Sequence, residues 1–292
     1  MGVSRLIAVD WGTSSLRGAR LDAAGGVLEE KNAPLGILNV PDGDFAGTFA
    51  SLFSDWMEPA GTVCLISGMA GSRQGWVEAP YVACPAGLDE LKRHLHWIEP
   101  GRIALVPGLS DEQGEVPDVM RGEEVQIFGA MRLAGIADGL LVLPGTHSKW
   151  ATVRGGRVTG FRTYMTGEFY GLLSQHSILA RTLDADAALD EAMFLRGVAR
   201  ASEGEGLLHN AFGARALALF GRLSPSQSTS YLSGLLIGEE LRGQDLPVGR
   251  NVIAVGAPAL TARYALALGQ TCVRVRTFGA EATWAGVRAI QQ

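Results

Sequence analysis

The chain has 292 residues, 47% of them hydrophobic and 19% charged, enough for a substantial core in one large or two medium domains. Its net charge of -5 comes from 25 Lys and Arg against 30 Asp and Glu spread along the chain. No basic block is available to neutralise a row of phosphates, which argues against a nucleic-acid partner.

Cys64, Cys84 and Cys272 are odd in number and form no C-x-x-C pair, so neither a disulfide framework nor a zinc site is indicated and a reducing cytoplasm fits best. The chain runs from Met1 into the strand-like Leu6-Ile-Ala-Val9 without a leader-like region. It contains no apolar run of the roughly 18 residues that a membrane span needs. A soluble cytoplasmic protein is expected.

The first elements read as strand (Leu6 to Asp10), tight turn (Trp11 to Ser15), strand (Leu16 to Leu21), turn (Ala23 to Gly26) and strand from Val27. Thr62 to Ser67 reads as a buried strand running into the Gly68-Met-Ala-Gly71 loop, and Arg102 to Val106 as another. Val125, Phe128 and Met131 recur at i, i+3 spacing, which predicts a helix from Glu123 to Ala134. The opening layout then repeats. A strand at Leu140 to Leu143 leads through Pro144-Gly-Thr-His-Ser148 into Lys149 to Val153, a turn at Gly155-Gly156, and Arg157 to Phe161.

Further on, helices are predicted over Glu168 to Leu183, Leu207 to Phe220 and Tyr231 to Leu241. A strand over Asn251 to Val255 passes through Gly256 into a helix over Ala259 to Leu268. Cys272 to Val275 reads as a final strand, and Gly279 to Ile290 as a closing helix. Gly12-Thr13 and Gly145-Thr146 lie 133 positions apart, close to half the chain, which marks a duplicated core rather than a short repeat. An α/β protein of two lobes is expected, with an N-terminal lobe over 1-137 and a C-terminal lobe over 138-292.

A strand that turns back through Gly-Thr-Ser aims successive amides and hydroxyls at one point, which suits phosphate oxygens. One such turn is ordinary turn chemistry. Two in matched contexts would clamp a triphosphate. Asp10 ends an apolar strand, where it serves either as a magnesium ligand through water or as an Asx-turn acceptor. Glu123 and Glu124 begin a helix, where the dipole suffices to explain them, or one of them is the general base that accepts a hydroxyl proton. Arg73, Arg121 and Arg162 are candidates for gripping a carboxylate. His147 and Lys149 flank the second turn and can reach phosphate, and Gly256 lets the chain pass close to a flat group such as adenine.

Taken together, these segments resemble the sugar kinases of the actin and hexokinase superfamily. Arg121-Gly-Glu-Glu-Val-Gln126 followed by Pro144-Gly-Thr146 is similar to the arrangement in glycerol and xylulose kinases. By that comparison Glu123 stands where those relatives carry a catalytic aspartate, and Val255-Gly-Ala-Pro258 has one glycine where they often carry two or three. Five blocks look like the 2-dehydro-3-deoxygalactonokinase family: Asp10-Trp-Gly-Thr-Ser14 with Arg17, Ser67 to Ser72, Met120 to Gln126, Leu143 to Trp150, and Met165-Thr-Gly-Glu168.

The resemblance implies a two-lobed actin-like ATPase fold, ribonuclease H-like, with a duplicated mixed-sheet core and an interlobe cleft. It implies ATP and Mg2+, with phosphates on Gly12, Thr13, Ser14, Arg17, Gly145, Thr146, His147, Ser148 and Lys149. Asp10 would serve the metal, Gly256 and Ala257 the adenosine, Ser72, Arg73 and Arg121 the substrate, and Glu123 would be the base. The implied reaction is phosphorylation of 2-dehydro-3-deoxy-D-galactonate at its 6-hydroxyl. The alternatives are a kinase for another sugar or sugar acid, a hydrolase on this fold, and a sugar-sensing regulator, for which a DNA-binding module ahead of the first strand is the missing feature. Association into a homodimer is left open.

Overall fold

The computed structural model describes residues 5–203, 205–246, 249, 251–271 and 273–292. Cys272 lies outside the described residues. In chain order the elements are β1 (Arg5–Trp11), β2 (Leu16–Leu21), β3 (Val27–Ala33), α1 (Phe45–Met57), β4 (Thr62–Gly68), β5 (Tyr81–Ala83), α2 (Leu88–Arg93), β6 (His96–Glu99), β7 (Ile103–Leu105), β8 (Gly108–Asp111), β9 (Asp118–Met120) and α3 (Glu123–Ala134). They continue with β10 (Gly139–Leu143), β11 (Ser148–Arg154), β12 (Arg157–Tyr164), α4 (Thr166–His176), α5 (Glu191–Ala201), α6 (Leu207–Leu219), α7 (Pro225–Arg242), β13 (Asn251–Val255), α8 (Pro258–Gly269), β14 (Arg274–Phe278) and α9 (Glu281–Gln291). None of the described helices is long and apolar enough to cross a membrane.

The chain forms two compact units. One comprises residues up to 141 with 150–162 and 278–292, and the other comprises 142–149 and 163–277. A six-stranded sheet in the order β3-β2-β1-β4-β7-β6 supports the first unit, with β1 antiparallel to β2 and parallel to β4. A smaller sheet of β5, β8 and β9 belongs to the same unit. The third sheet runs β12-β11-β10-β13-β14 and repeats the strand order of the first five members of the large sheet. The duplication seen in the two glycine turns therefore extends to the whole sheet order.

Leu6, Ile7, Ala8 and Val9 of β1 are all buried, because both faces of this central strand are covered. Phe49, Phe53 and Trp56 of α1 pack with Ile7, Val9, Trp11 and Ile66 in one cluster. Burial of each such side chain contributes about 1.5–3 kcal/mol. On the other flank α3 and α9 cross closely. A Cβ on Gly129 would overlap the carbonyl oxygen of Ala282, and one on Gly286 that of Val125. This contact fixes the helix whose first residue is Glu123.

Several elements differ from expectation. The helix predicted over Glu168 to Leu183 is α4 followed by a separate 3-10 turn, Ile178–Thr182. Ser177 breaks it: its backbone is extended and its hydroxyl oxygen accepts from the Leu179 amide. Helix α7 begins six residues earlier than the predicted Tyr231, because Ser224 and Gln227 form a capping box around Pro225. Helices α1 and α5, capped by Asp44 and Asp190, were absent from the sequence reading.

Candidate active site

In the first unit the turn between β1 and β2 closes with the Gly12 amide on the Ser15 carbonyl at 2.9 Å. Thr13 and Ser14 are exposed at its tip, and their amides have no acceptor among the described residues. The Ile37 and Leu38 amides bond the Gly12 and Thr13 carbonyls at 3.0 and 3.3 Å. Gly36 permits that approach, since a Cβ there would overlap the Ser14 backbone. The tip is thus held from behind with its donors facing outward, the arrangement an anion needs.

The second unit repeats the device. Thr146 and His147 form an exposed tip, and the amides of Gly145, Thr146 and His147 lack acceptors among the described residues. The Glu168 amide bonds the Thr146 carbonyl at 2.9 Å, and Gly167 rests on Gly145. His147 Nε2 lies 2.5 Å from Glu168 Oε2. Ser148 turns inward and donates to Glu240 Oε1 at 2.8 Å. Glu240 also accepts from Tyr264 at 2.6 Å and from the Thr166 hydroxyl. Burial, together with the Glu240 carboxylate, pushes the Tyr264 phenol well above its ordinary range. Lys149 is buried rather than displayed at the turn.

A pocket of about 240 Å³ opens beside this second turn, lined by Gly145, Thr146, Tyr170, Leu236, Ile237 and Leu260 among others. Arg263 and Ser233, hydrogen-bonded at 3.1 Å, complete its polar side. Gly256 has φ +152 and stands beside Pro144, so the β13–α8 corner abuts the turn, and Ala257 is the N-terminal cap of α8. The lining reaches α8 at Leu260, one turn beyond Ala257. A larger hollow of about 530 Å³ between α5 and α6 contains none of the predicted residues.

At the end of β1 in the first unit, Asp10 pairs in register with Ser67 of β4 and forms an ion pair with Arg17. Gly122, at φ +105, packs against Gly68 closely enough that a Cβ would stand 3.1 Å from its Cα. The positive φ turns the chain sharply into α3. Asp10, Ser67 and the start of α3 are therefore brought together. Glu123 Oε2 accepts from the Arg121 amide at 3.1 Å, and Glu124 Oε2 from the Gly122 amide at 2.7 Å.

The two glutamates differ in surroundings. Glu124 is fully buried, with Oε1 lacking a partner among the described residues. Burial first, and the Glu123 charge second, push its carboxyl up to about 8. Glu123 is partly open. Arg121 is buried, donates to the Ala79 carbonyl at 2.7 Å and lies over the Tyr81 ring at 4.3 Å. Its Nε and Nη1, with the hydroxyls of Ser67 and Ser72, are buried without partners among the described residues. Such unsatisfied groups are costly unless something else meets them, and they gather here around the Gly68–Ser72 turn. Arg73 instead points to solvent, 86% exposed, 3.5 Å from Glu78. Arg162, on β12, is also exposed.

Among the described residues no cluster of three metal-ligating side chains occurs. Asp10, at the end of β1 beside the first glycine turn, is the kind of group that fits magnesium, which takes one or two carboxylates and fills its other positions with water and phosphate oxygen.

The family model described as 2-keto-3-deoxy-galactonokinase matches residues 10–290. The chain belongs to the 2-keto-3-deoxy-galactonokinase family. Within it, the chain is 37% identical over 290 residues to "Probable 2-dehydro-3-deoxygalactonokinase DgoK1" of Rhizobium meliloti (strain 1021), covering 97% of this chain and 95% of the relative. It is 35% identical to the 2-dehydro-3-deoxygalactonokinase of Escherichia coli (strain K12), covering 98% and 97%. A crystal structure from Sinorhizobium meliloti bearing the same enzyme name superposes with a TM-score of 0.89 at 37% identity, over 98% of this chain and 97% of that one. The actin-like α/β fold with a duplicated mixed-sheet core, expected from the sequence, is the fold of this family member.

Nothing in the sequence singles out Gly36 or Glu240, whereas Thr166 and Gly167 fall within the Met165-Thr-Gly-Glu168 block.

Proposed function

We propose that this chain transfers the γ-phosphoryl group of ATP to the 6-hydroxyl of 2-dehydro-3-deoxy-D-galactonate. The observation that carries the reading is the pair of rear-braced turns with outward amides, in a chain that matches the galactonokinase family over residues 10–290.

In this reading the Gly12–Ser14 and Gly145–His147 amides bind phosphate oxygens, with Arg17, Ser148 and Lys149 contributing charge and support. Phosphoryl transfer depends on such positioning and charge neutralisation. The nucleoside enters the pocket lined by Tyr170, Ile237 and Leu260, next to Gly145 and near the Gly256–Ala257 corner. Mg2+ would be held by Asp10 and would neutralise the phosphate charge.

Glu123 accepts the proton of the 6-hydroxyl as that oxygen bonds to the γ-phosphorus, and the bond to the ADP oxygen breaks. Its carboxylate, anchored on the Arg121 amide, is aimed from the first turn of the helix. Glu124, neutral at pH below about 8, supports the turn instead. Arg121 and Ser72 meet the substrate. Arg73, exposed beside Glu78, is the third substrate candidate. By this scheme residues 1-137 carry the sugar-acid site and residues 138-292 the adenosine site.

The test is product analysis. Incubation with MgATP and the keto acid should yield ADP and a product whose phosphorus signal couples to the C6 protons. ADP formation that does not depend on acceptor would reject the reading in favour of a hydrolase.

A further inference from the structure

Helix α6 turns an unusual face to solvent. Leu208, Phe212 and Leu219 fall on one stripe at i, i+4 and i+11, and they are 87%, 60% and 63% exposed, with Phe220 at the helix end 80% exposed. On its inner side Ala211 and Leu207 join Leu235 of α7 in one cluster and Ala214 joins Tyr231 in another, while Gly213, Ala216 and Leu217 line the hollow towards α5. The helix is anchored through Asn210, Ala211 and Ala214, and its apolar stripe is not explained by the fold. Contiguous exposed apolar surface of this kind marks an interaction site.

The order of side chains along the stripe selects its occupant. Leu208 and Leu219 stand at equal distances from a centre between Gly213 and Ala214. So do Phe212 and Arg215, and so do Glu205 and Arg222. A two-fold axis through that centre, with two α6 helices antiparallel, sets Leu208 on the partner's Leu219, Phe212 on the partner's Arg215, and Glu205 beside the partner's Arg222. An isologous interface needs this self-complementarity. The Arg222 side chain makes no hydrogen bond or ion pair with any described residue, and it lines the same hollow as Arg196. At the other end Glu203 and Glu205 share the single Arg200, which leaves an acidic excess. Nearest the axis a guanidinium meets an aromatic ring, leucine pairs flank it on either side, and opposite charges close both ends.

We infer that the protein forms a two-fold homodimer through antiparallel contact of its α6 helices. This rests on the face of α6 alone and is independent of the kinase reading.

Sedimentation equilibrium or light scattering tests it by mass. The wild-type chain should show twice its 30.8 kDa. Phe212→Glu should weaken association by roughly 100-fold and give a folded single chain with an unchanged circular-dichroism spectrum. Arg222→Glu should weaken it by about tenfold, and the exchange Glu205→Arg with Arg222→Glu should recover most of that loss. Recovery by exchange is an effect that damage to the fold cannot produce. A monomeric wild type, a dimer that survives Phe212→Glu, or an exchange that restores nothing would overturn the inference.

Discussion

Gly167 lies against Gly145: a Cβ on Gly167 would overlap the Gly145 carbonyl oxygen and stand 2.9 Å from the Thr146 Cα. Gly36 holds the same relation to Thr13 and Ser14 on the first turn. The two glycine turns are thus set by glycines outside the turns themselves. Gly167→Val should displace the second turn, raise the KM for ATP at least tenfold, and cost about 1–3 kcal/mol of stability through overpacking. Steady-state kinetics together with urea unfolding would register both effects. An unaltered KM would show that the backing glycine does not shape the nucleotide site.

Glu123→Gln retains the size of the side chain and removes its ability to take a proton. Turnover should fall by roughly 10²- to 10⁴-fold with the KM for ATP little changed. If turnover survives, the base lies elsewhere, and Glu124 is the next carboxylate to replace.

Glu124 predicts a pH dependence of stability. In the unfolded chain its carboxyl titrates near 4.5, and in the folded chain near 8. Between those values the folded state holds a proton that the unfolded state has released. Stability therefore falls as pH rises across that window. Glu124→Gln keeps an acceptor for the Gly122 amide but cannot titrate, so this part of the slope should vanish. Urea midpoints at several pH values between 5 and 9, compared for both proteins, would show the difference.

Glu240 gathers Ser148, Thr166 and Tyr264 behind the second turn. Glu240→Ala would leave the buried Ser148 and Tyr264 hydroxyls, and the half-buried Thr166 hydroxyl, without this acceptor, at about 1–3 kcal/mol for each buried one before relaxation. Glu240→Gln should recover part of that stability. Thermal unfolding would rank wild type above the Gln variant and the Gln variant above the Ala variant, and equal stabilities would remove Glu240 from the support of the turn.

Much of this was legible in the sequence because it is local. Turns such as Trp11 to Ser15, strands such as Thr62 to Ser67, and the i, i+3 spacing that starts α3 at Glu123 depend on near neighbours along the chain. The duplicated sheet order follows from the repeat. What was hidden depends on distant neighbours. Glu240 looks like a surface residue of α7, and only the fold places it 92 residues from Ser148 in sequence yet within 2.8 Å. Gly129 and Gly286 look like weak points in helices until their close crossing is seen. The two adjacent glutamates were indistinguishable by type, and burial separates them. The break at Ser177 was missed because the apolar pattern continues across it.

The most direct test is a coupled ATP-consumption assay with magnesium, run without acceptor and then with 2-dehydro-3-deoxygalactonate, 2-dehydro-3-deoxygluconate, glycerol, xylulose and glucose. The account predicts turnover that requires acceptor and favours the galactonate-derived acid by at least roughly tens- to hundreds-fold. Equal or better turnover on a neutral sugar, or ATP consumption without any acceptor, would contradict it.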